Sequence, residues 1–213
     1  MNDLAQLVQG SDAWLQARCG SLGASQIHQA LAKTKTGWGA SRDNLMADLI
    51  CERLTGEPVE TYQNADMLLG QQREPLARES YCWAKGVDVE LVGMVLHPRI
   101  KGTHASPDAL VPPDGLVEIK CPKRSTHLAT LCGAPVDGRY LLQGCWQMAC
   151  TGRQWVDLAS FNPDFPPEMQ LFVQRMVRDD AAISKAEEQV EEFLAELERT
   201  FADLLERYQR AAA

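Results

Sequence analysis

Between His104 and Pro122 the chain carries two short alternating segments joined by the turn-rich run Pro112-Pro113-Asp114-Gly115, with Asp108 ahead of the turn and Glu118-Ile119-Lys120 behind it. Successive side chains of a strand point to opposite faces. Glu118 and Lys120 therefore share one face, while Ile119 points into the core and leaves its carbonyl oxygen near the same edge. For Asp108 to stand across from Glu118 in a regular antiparallel pair, opposed residue numbers must sum to an even value. This predicts an odd-length connection or a bulge between Val111 and Gly115, not a two-residue turn. Two carboxylates and a carbonyl form a hard oxygen site, which suits Mg2+ with Mn2+ as a substitute. An ion there would polarise a phosphate and acidify a water. Lys120 would orient that water, steady charge on the phosphoryl oxygens, or act as a base with its pKa lowered by the cation. The same three residues also suit the solvated face of an ordinary strand.

The flanking sequence supplies the other layers. Trp14 and Leu15 open a short helix, Gly20 and Gly23 mark a turn, and Ser25 is placed to cap a helix through Gln26, Ile27, Ala30 and Leu31. Lys33 to Ser41 has loop composition, and Lys35 within it is a candidate DNA contact beside Lys33 and Trp38. Helices are expected over about Arg42 to Leu54, ending before Gly56, and over about Met67 to Lys85, closed by Gly86. Met67, at the start of the second, is a candidate wedge between bases. Val87 to Leu96 alternates like a strand, a helix follows Arg139 and ends at Gly152, and Gln154 to Ser160 suits a further strand. Tyr140, Gln143 and Gln147 share one face of that helix, a solvated stripe by default.

Val190, Leu194, Leu197, Phe201, Leu204 and Tyr208 recur every three or four residues, the mark of a long amphipathic helix over about 178–210. Its stripe is expected to pack on the body of its own domain, with a subunit contact as the alternative. The segment from Asp179 onward holds ten acids and four bases, so about six of the eight units of net negative charge lie there and the body is nearly neutral. That distribution excludes a protein that coats nucleic acid or anionic membranes by bulk attraction. The apolar runs are shorter than a membrane span needs, and the start of the chain lacks the layout of a signal peptide, so a cytoplasmic location is expected. Seven cysteines without a CxxC pair are read as reduced, mostly buried packing residues. A single domain over residues 1–213 is expected, with a core at about 11–165.

The blocks WLQARCGSLGAS, GQQREPLARESY, SPDALV, GLVEIKCP and YLLQGCWQMACTG, in this order, resemble the lambda-type exonucleases of phage recombination. These are a branch of the restriction-endonuclease-like PD-(D/E)xK superfamily, and the resemblance spans about Trp14 to Pro163. It implies an α/β fold with a mixed central sheet flanked by helices and a long C-terminal helix. It makes Asp108, Glu118 and the carbonyl of Ile119 metal ligands, and Lys120 the catalytic lysine. Glu74 becomes the helix glutamate beside the metals and Gln143 the helix glutamine that completes the site. Many relatives carry a second glutamine two positions on, where this chain has Cys145. Arg18, Ser25 and Ser106 correspond to residues that hold a 5′-terminal phosphate; a helix start and an arginine fork suit an anion on physical grounds as well. The implied activity is two-metal, Mg2+-dependent 5′–3′ digestion of one strand of duplex DNA by a homotrimeric ring. The overhangs would pass to a single-strand annealing protein. A restriction-like or repair endonuclease of the same superfamily is the alternative, and a binding module without activity is a third reading that the intact Asp108, Glu118 and Lys120 oppose.

Overall fold

The computed structural model describes residues 4–35, 37–59 and 65–211, so the polar connection after Gly56 falls partly outside the described residues. In chain order the elements are α1 (Asp12–Arg18), β1 (Leu22–Gly23), α2 (Ile27–Ala30), β2 (Lys33–Thr34), β3 (Gly37–Trp38), α3 (Ala40–Thr55) and α4 (Ala65–Lys85). There follow β4 (Val95–Leu96), β5 (Thr103–Ala105), β6 (Ala109–Val111), β7 (Gly115–Lys120), α5 (Arg124–Leu131) and α6 (Gly138–Thr151). The chain closes with β8 (Trp155–Phe161), β9 (Leu171–Val177) and α7 (Asp180–Ala211). The main sheet runs β6-β7-β8-β9, with β7 and β8 parallel and the outer pairs antiparallel. It is therefore mixed, and α5 and α6 form the crossover that parallel neighbours require. A smaller sheet runs β1-β5-β4.

The β6–β7 register agrees with the parity argument. Ala109 pairs with Val117 and Val111 with Gly115, which leaves a three-residue connection at Pro112-Pro113-Asp114 and sets Asp108 across from Glu118 one step further on. Every residue of β7 from Gly115 to Ile119 is buried, as expected for a strand covered on both faces. Gly144 lets α6 approach β8 closely, since a Cβ there would lie 2.9 Å from Val156 Cγ1.

Several expectations need correction. Only the end of the Val87 to Leu96 segment is strand, because its middle pairs elsewhere: Gly93 and Met94 donate backbone N–H to Ala5 and Leu4 carbonyls. A Cβ on Gly93 would sit 2.3 Å from the Leu7 carbonyl oxygen, so this close approach needs glycine. The expected loop at Lys33 to Ser41 contains the β2–β3 pair. Its Trp38 ring lies 4.1 Å from the Arg42 guanidinium and 4.8 Å from Lys33 Nζ, an internal cation–π stack. β1, α5 and the edge strand β9 lie outside the sequence reading; in β9 adjacent Gln174 and Arg175 are both exposed, which breaks the burial alternation. Arg175 pairs with its cross-strand neighbour Asp157 through two hydrogen bonds of 2.8 and 2.9 Å. Cys51 and Cys132 are exposed, against the packing role expected of the cysteines; Cys145 and Cys150 are buried.

Helix α7 packs on its own chain. Asp179 caps it by accepting from the N–H groups of Ala181 and Ala182. Val190, Phe193, Leu194 and Leu197 enter one core with Leu22, Ile27, Leu49 and Trp146. Arg42 bonds Glu196 at 2.5 Å, Arg53 bonds Glu198 at 2.7 Å, and Arg99 pairs with Glu187, so part of the acidic charge is neutralised where the helix docks. The distal stripe is less covered, with Phe201 and Leu204 half-buried and Tyr208 exposed. No described helix is long and apolar enough to cross a membrane.

Candidate active site

The C-terminal half of β7 and the middle of α6 bring the acidic centre together. Glu118 is 2% exposed and receives three donors: Lys120 Nζ at 2.5 Å and Gln143 Nε2 at 2.6 Å on Oε1, and Gln147 Nε2 at 2.5 Å on Oε2. Such a carboxylate has no rotational freedom left. Asp108 Oδ2 accepts the Ile119 N–H at 2.5 Å. In an extended strand the N–H and C=O of one residue project to the same side, so the Ile119 carbonyl also faces the edge where β6 stops. Burial, reinforced by the charges of Glu118 and Glu74, raises the Asp108 pKa well above its ordinary value despite the opposing pull of Lys120. Burial alone would lower the Lys120 pKa, but Glu118 and Asp108 outweigh it and the ammonium holds its proton more tightly than usual. Its Nζ also lies 5.2 Å from the Tyr140 ring centroid.

Glu74 sits on α4, which packs against β7. Its side chain is about one-third exposed and bonds Arg78 one turn on at 3.0 Å. Its charge contributes to raising the pKa of both Asp108 and Cys121. A cleft of about 180 Å³ opens beside Glu118 and Lys120, walled by Tyr140, Leu158, Ser160 and Phe172.

These residues fit a divalent cation. A cation would offset the charge of the two carboxylates, and their oxygens with the Ile119 carbonyl make the hard donor set that Mg2+ takes. Buried Gln147 Oε1 has no protein partner among the described residues and adds another oxygen at the same centre. Among the described residues no three His, Cys, Asp or Glu side chains cluster tightly enough to hold an ion unaided. The carbonyl and waters would therefore complete its shell, as is usual for Mg2+.

A second group forms around Arg18. Its Nε donates to His104 Nε2 at 3.0 Å, and its guanidinium lies 4.1 Å from the centroid of the Trp14 ring. Because Nε2 accepts, the opposite nitrogen of His104 carries the proton and donates to Ser21 Oγ at 2.9 Å. Burial and the Arg18 charge push the His104 pKa down to about 3, so the ring is neutral. His104 thus aims Arg18. Trp14 Nε1 donates to Ser106 Oγ at 3.2 Å and to the Gly93 carbonyl at 3.0 Å, which joins Ser106 to the same group. Burial lowers the Arg18 pKa, with Glu52 opposing, and Arg18 makes no ion pair among the described residues.

Ser25 does not cap a helix. It is exposed within the 3-10 turn Ala24–Gln26, where Gly23 holds the preceding position and donates its N–H to Gln26 Oε1 at 3.0 Å. A Cβ on Gly23 would lie 3.2 Å from both Arg18 and His104, so this turn runs against the arginine. Lys35 is exposed at the β2–β3 turn, and Met67 is half exposed in the first turn of α4.

Gln147 is the residue that sequence reasoning missed. It lies four positions after Gln143, one helical turn on, and is fully buried against Glu118. Cys145, at the position where a second glutamine was sought, faces the apolar cluster of Leu116, Met148 and Val156. Replacing Gln147 by alanine frees one Glu118 oxygen and is expected to weaken metal affinity about 10-fold or more, the usual effect of removing a group that holds a ligand in place. Calorimetric titration with Mg2+ checks this.

Comparison with known proteins agrees with the geometry. Residues 13–154 match the YqaJ-like viral recombinase domain. The chain belongs to that family. It is 43% identical to the alkaline exonuclease LHK-Exo from Laribacter hongkongensis, with a TM-score of 0.87 over 95% of this chain and 100% of that one. LHK-Exo in complex with dAMP gives the same identity and a TM-score of 0.88 over 94% and 100%. A phage-related exonuclease from Haemophilus somnus 129PT shares the fold at 12% identity, with a TM-score of 0.68 over 86% of this chain and 96% of that one. A comparison with curated proteins finds no significant match. The chain is accordingly an exonuclease-type hydrolase on the nuclease fold.

Proposed function

We propose that the protein is a divalent-metal-dependent exonuclease that resects duplex DNA from 5′-phosphorylated ends and leaves 3′ single strands for annealing. The observation that carries this reading is the triply held Glu118 facing Asp108 across the β6–β7 edge, with Lys120 beside it. Asp108, Glu118 and the Ile119 carbonyl would hold Mg2+, or Mn2+ in its place, and Glu74 on α4 would serve a second ion. Bound there, the cation supplies Lewis acidity to the phosphodiester and lowers the pKa of water. Gln143 and Gln147 keep the Glu118 carboxylate aimed. Lys120, hydrogen-bonded to Glu118, would orient water and steady charge on the phosphoryl oxygens.

Arg18, with Ser106 joined to it through Trp14 and with Ser25 on the turn next to it, supports end recognition. An arginine aimed by a neutral histidine, with no ion-pair partner among the described residues, suits a terminal phosphate. A homotrimeric ring, a single-strand annealing partner, a cytoplasmic site of action and a single domain over 1–213 belong to the same proposal. Contacts from Lys35 and Met67 to DNA do too.

The test compares linear duplexes with 5′-phosphate and 5′-hydroxyl ends, in Mg2+ and in EDTA. Faster release of nucleotides from phosphorylated ends is expected, and Arg18→Ala is expected to erase most of that preference. Equal rates at both ends in the wild type would remove the pocket. Rapid nicking of covalently closed circles would favour the endonuclease alternative.

A further inference from the structure

Next to the acidic centre, on the other side of Cys121, lies an open cleft of about 450 Å³ walled by Asp66, Arg73, Cys121, Lys123, Arg124 and Asp164. Three separate elements converge on it. Arg73 precedes Glu74 on α4, and successive helical residues point about 100° apart, so the two side chains diverge and Arg73 enters the cleft. Arg124 opens α5, four residues after Lys120. Asp164 follows β8 and lies between the two arginines: Arg73 reaches its oxygens at 3.1 and 3.2 Å, and Arg124 Nε reaches Oδ2 at 3.0 Å.

The arrangement is fixed from behind. Fully buried Asn162 donates to the Pro122 carbonyl at 2.9 Å and accepts the Asp164 N–H at 3.0 Å, which ties the loop after Lys120 to the loop carrying Asp164. Against the desolvation that raises it, hydrogen bonds from Arg73 and Arg124 hold the Asp164 carboxyl below the usual carboxylate range. Two guanidinium groups, each through one nitrogen, thus already hold one planar anion, within a chain whose net charge is -8. Arginine forks match phosphate as well as carboxylate. Arg124 is 75% exposed and Asp164 29%, so the pair is open to a ligand from solvent.

We propose that Arg73 and Arg124 form a clamp for a DNA backbone phosphate adjacent to the one being cut, with Asp164 as an internal stand-in that the phosphate displaces. The inference rests on the nuclease reading above and adds a positioning site to it. Lys123, at the lip of the same cleft, adds long-range attraction. Displacing Asp164 raises the local balance from three bases against two acids to three against one. Strand engagement is then coupled to breaking an internal ion pair, so DNA binds less tightly than the two arginines alone would allow.

The two halves of the clamp make opposite predictions. KM for linear duplex DNA and its salt dependence would be measured by nucleotide release, alongside DNA affinity by fluorescence anisotropy in EDTA. The double change Arg73→Ala with Arg124→Ala is expected to raise KM and Kd about 10-fold and to flatten the slope of log affinity against log salt by about one, the loss of one phosphate contact. Asp164→Asn, close in shape but uncharged, is expected to lower both about threefold, since it removes a competing anion. Asp164→Asn raising KM as the arginine changes do would make Asp164 a structural staple and overturn the clamp. Wild-type affinity and slope in both variants would also overturn it. If the double variant fails to fold by thermal melting, Asp164→Asn decides alone. Wild-type protein that binds ends without releasing nucleotides would refute the nuclease reading and still leave the clamp to be judged by the anisotropy ratios.

Discussion

Lys120→Ala is expected to lower the rate of DNA hydrolysis by about 100- to 1,000-fold, the loss that follows removal of one pre-positioned donor at a developing charge. The fall should appear in kcat, with KM little changed, because the ammonium is tied to Glu118 at 2.5 Å and not directed at a distant part of the DNA. The same change removes one of three donors from a buried carboxylate, so some destabilisation accompanies it. Single-turnover digestion of a linear duplex together with a thermal melt separates the two effects. Lys120→Arg restores the charge but not the compact, rotatable donor, and is expected to recover stability and little rate.

Trp146→Ala is the largest expected loss of stability, about 3–5 kcal/mol by analogy with other buried aromatic truncations. Trp146 is fully buried in the core that α7 shares with α2 and α3. Its Nε1 donates to Thr103 Oγ1 at 3.0 Å, and its ring stacks on His97 at 5.0 Å between centroids. Truncation leaves the Thr103 hydroxyl without that donor and opens a cavity beneath the small sheet. Because Trp146 adjoins Gln147 on α6, loosening there also reaches the Glu118 carboxylate. Denaturant unfolding measures the first effect, and a smaller shift in melting temperature on adding Mg2+ reports the second.

The strand carrying Glu118 and Lys120 was legible in sequence because its constraints are local. Strand alternation fixes which of Glu118, Ile119 and Lys120 share a face, and parity alone required the odd connection at Pro112-Pro113-Asp114 that the β6–β7 register shows. Helix ends at Gly56, Gly86 and Gly152 were legible for a similar reason, since each residue takes a positive φ that favours glycine. The amphipathic stripe of α7 identified its core face, though not the ion pairs of Arg42 and Arg53 that seat it.

What escaped depended on distant partners. Gln147 has the spacing of a solvated face, and only the docking of α6 on β7 turns that face toward Glu118. Polar residues that satisfy a buried charge look in sequence like polar residues facing water. The middle of the Val87 to Leu96 segment alternates like a strand, but its backbone is paired with Leu4 and Ala5, some ninety residues away. His104 has neither a motif nor a regular spacing to Arg18, and becomes its orienting partner only through the parallel pairing of β1 with β5. Asp164 and Arg73 lie in separate elements, so the cleft beside Cys121 had no sequence signature.

The acidic composition takes on a definite meaning in this architecture. A large part of the negative charge lies on α7, where Arg42, Arg53 and Arg99 pair with it, and another part lies at Glu74, Asp108 and Glu118, where cations would neutralise it. In the proposed reading, binding is directed to the edge of β7 and its flanking arginines and away from the surface at large.

The most direct measurement follows acid-soluble nucleotide release from a linear duplex by the wild type and by Asp108→Asn, each across a titration of Mg2+ with EDTA as the zero point. The wild type is expected to degrade the duplex only when Mg2+ is present, and Asp108→Asn, which keeps the fold but loses the ligand charge, to lose nearly all of that activity at every Mg2+ concentration. Degradation in EDTA, or an Asp108→Asn protein as active as the wild type, would contradict a metal centre built on Asp108 and Glu118.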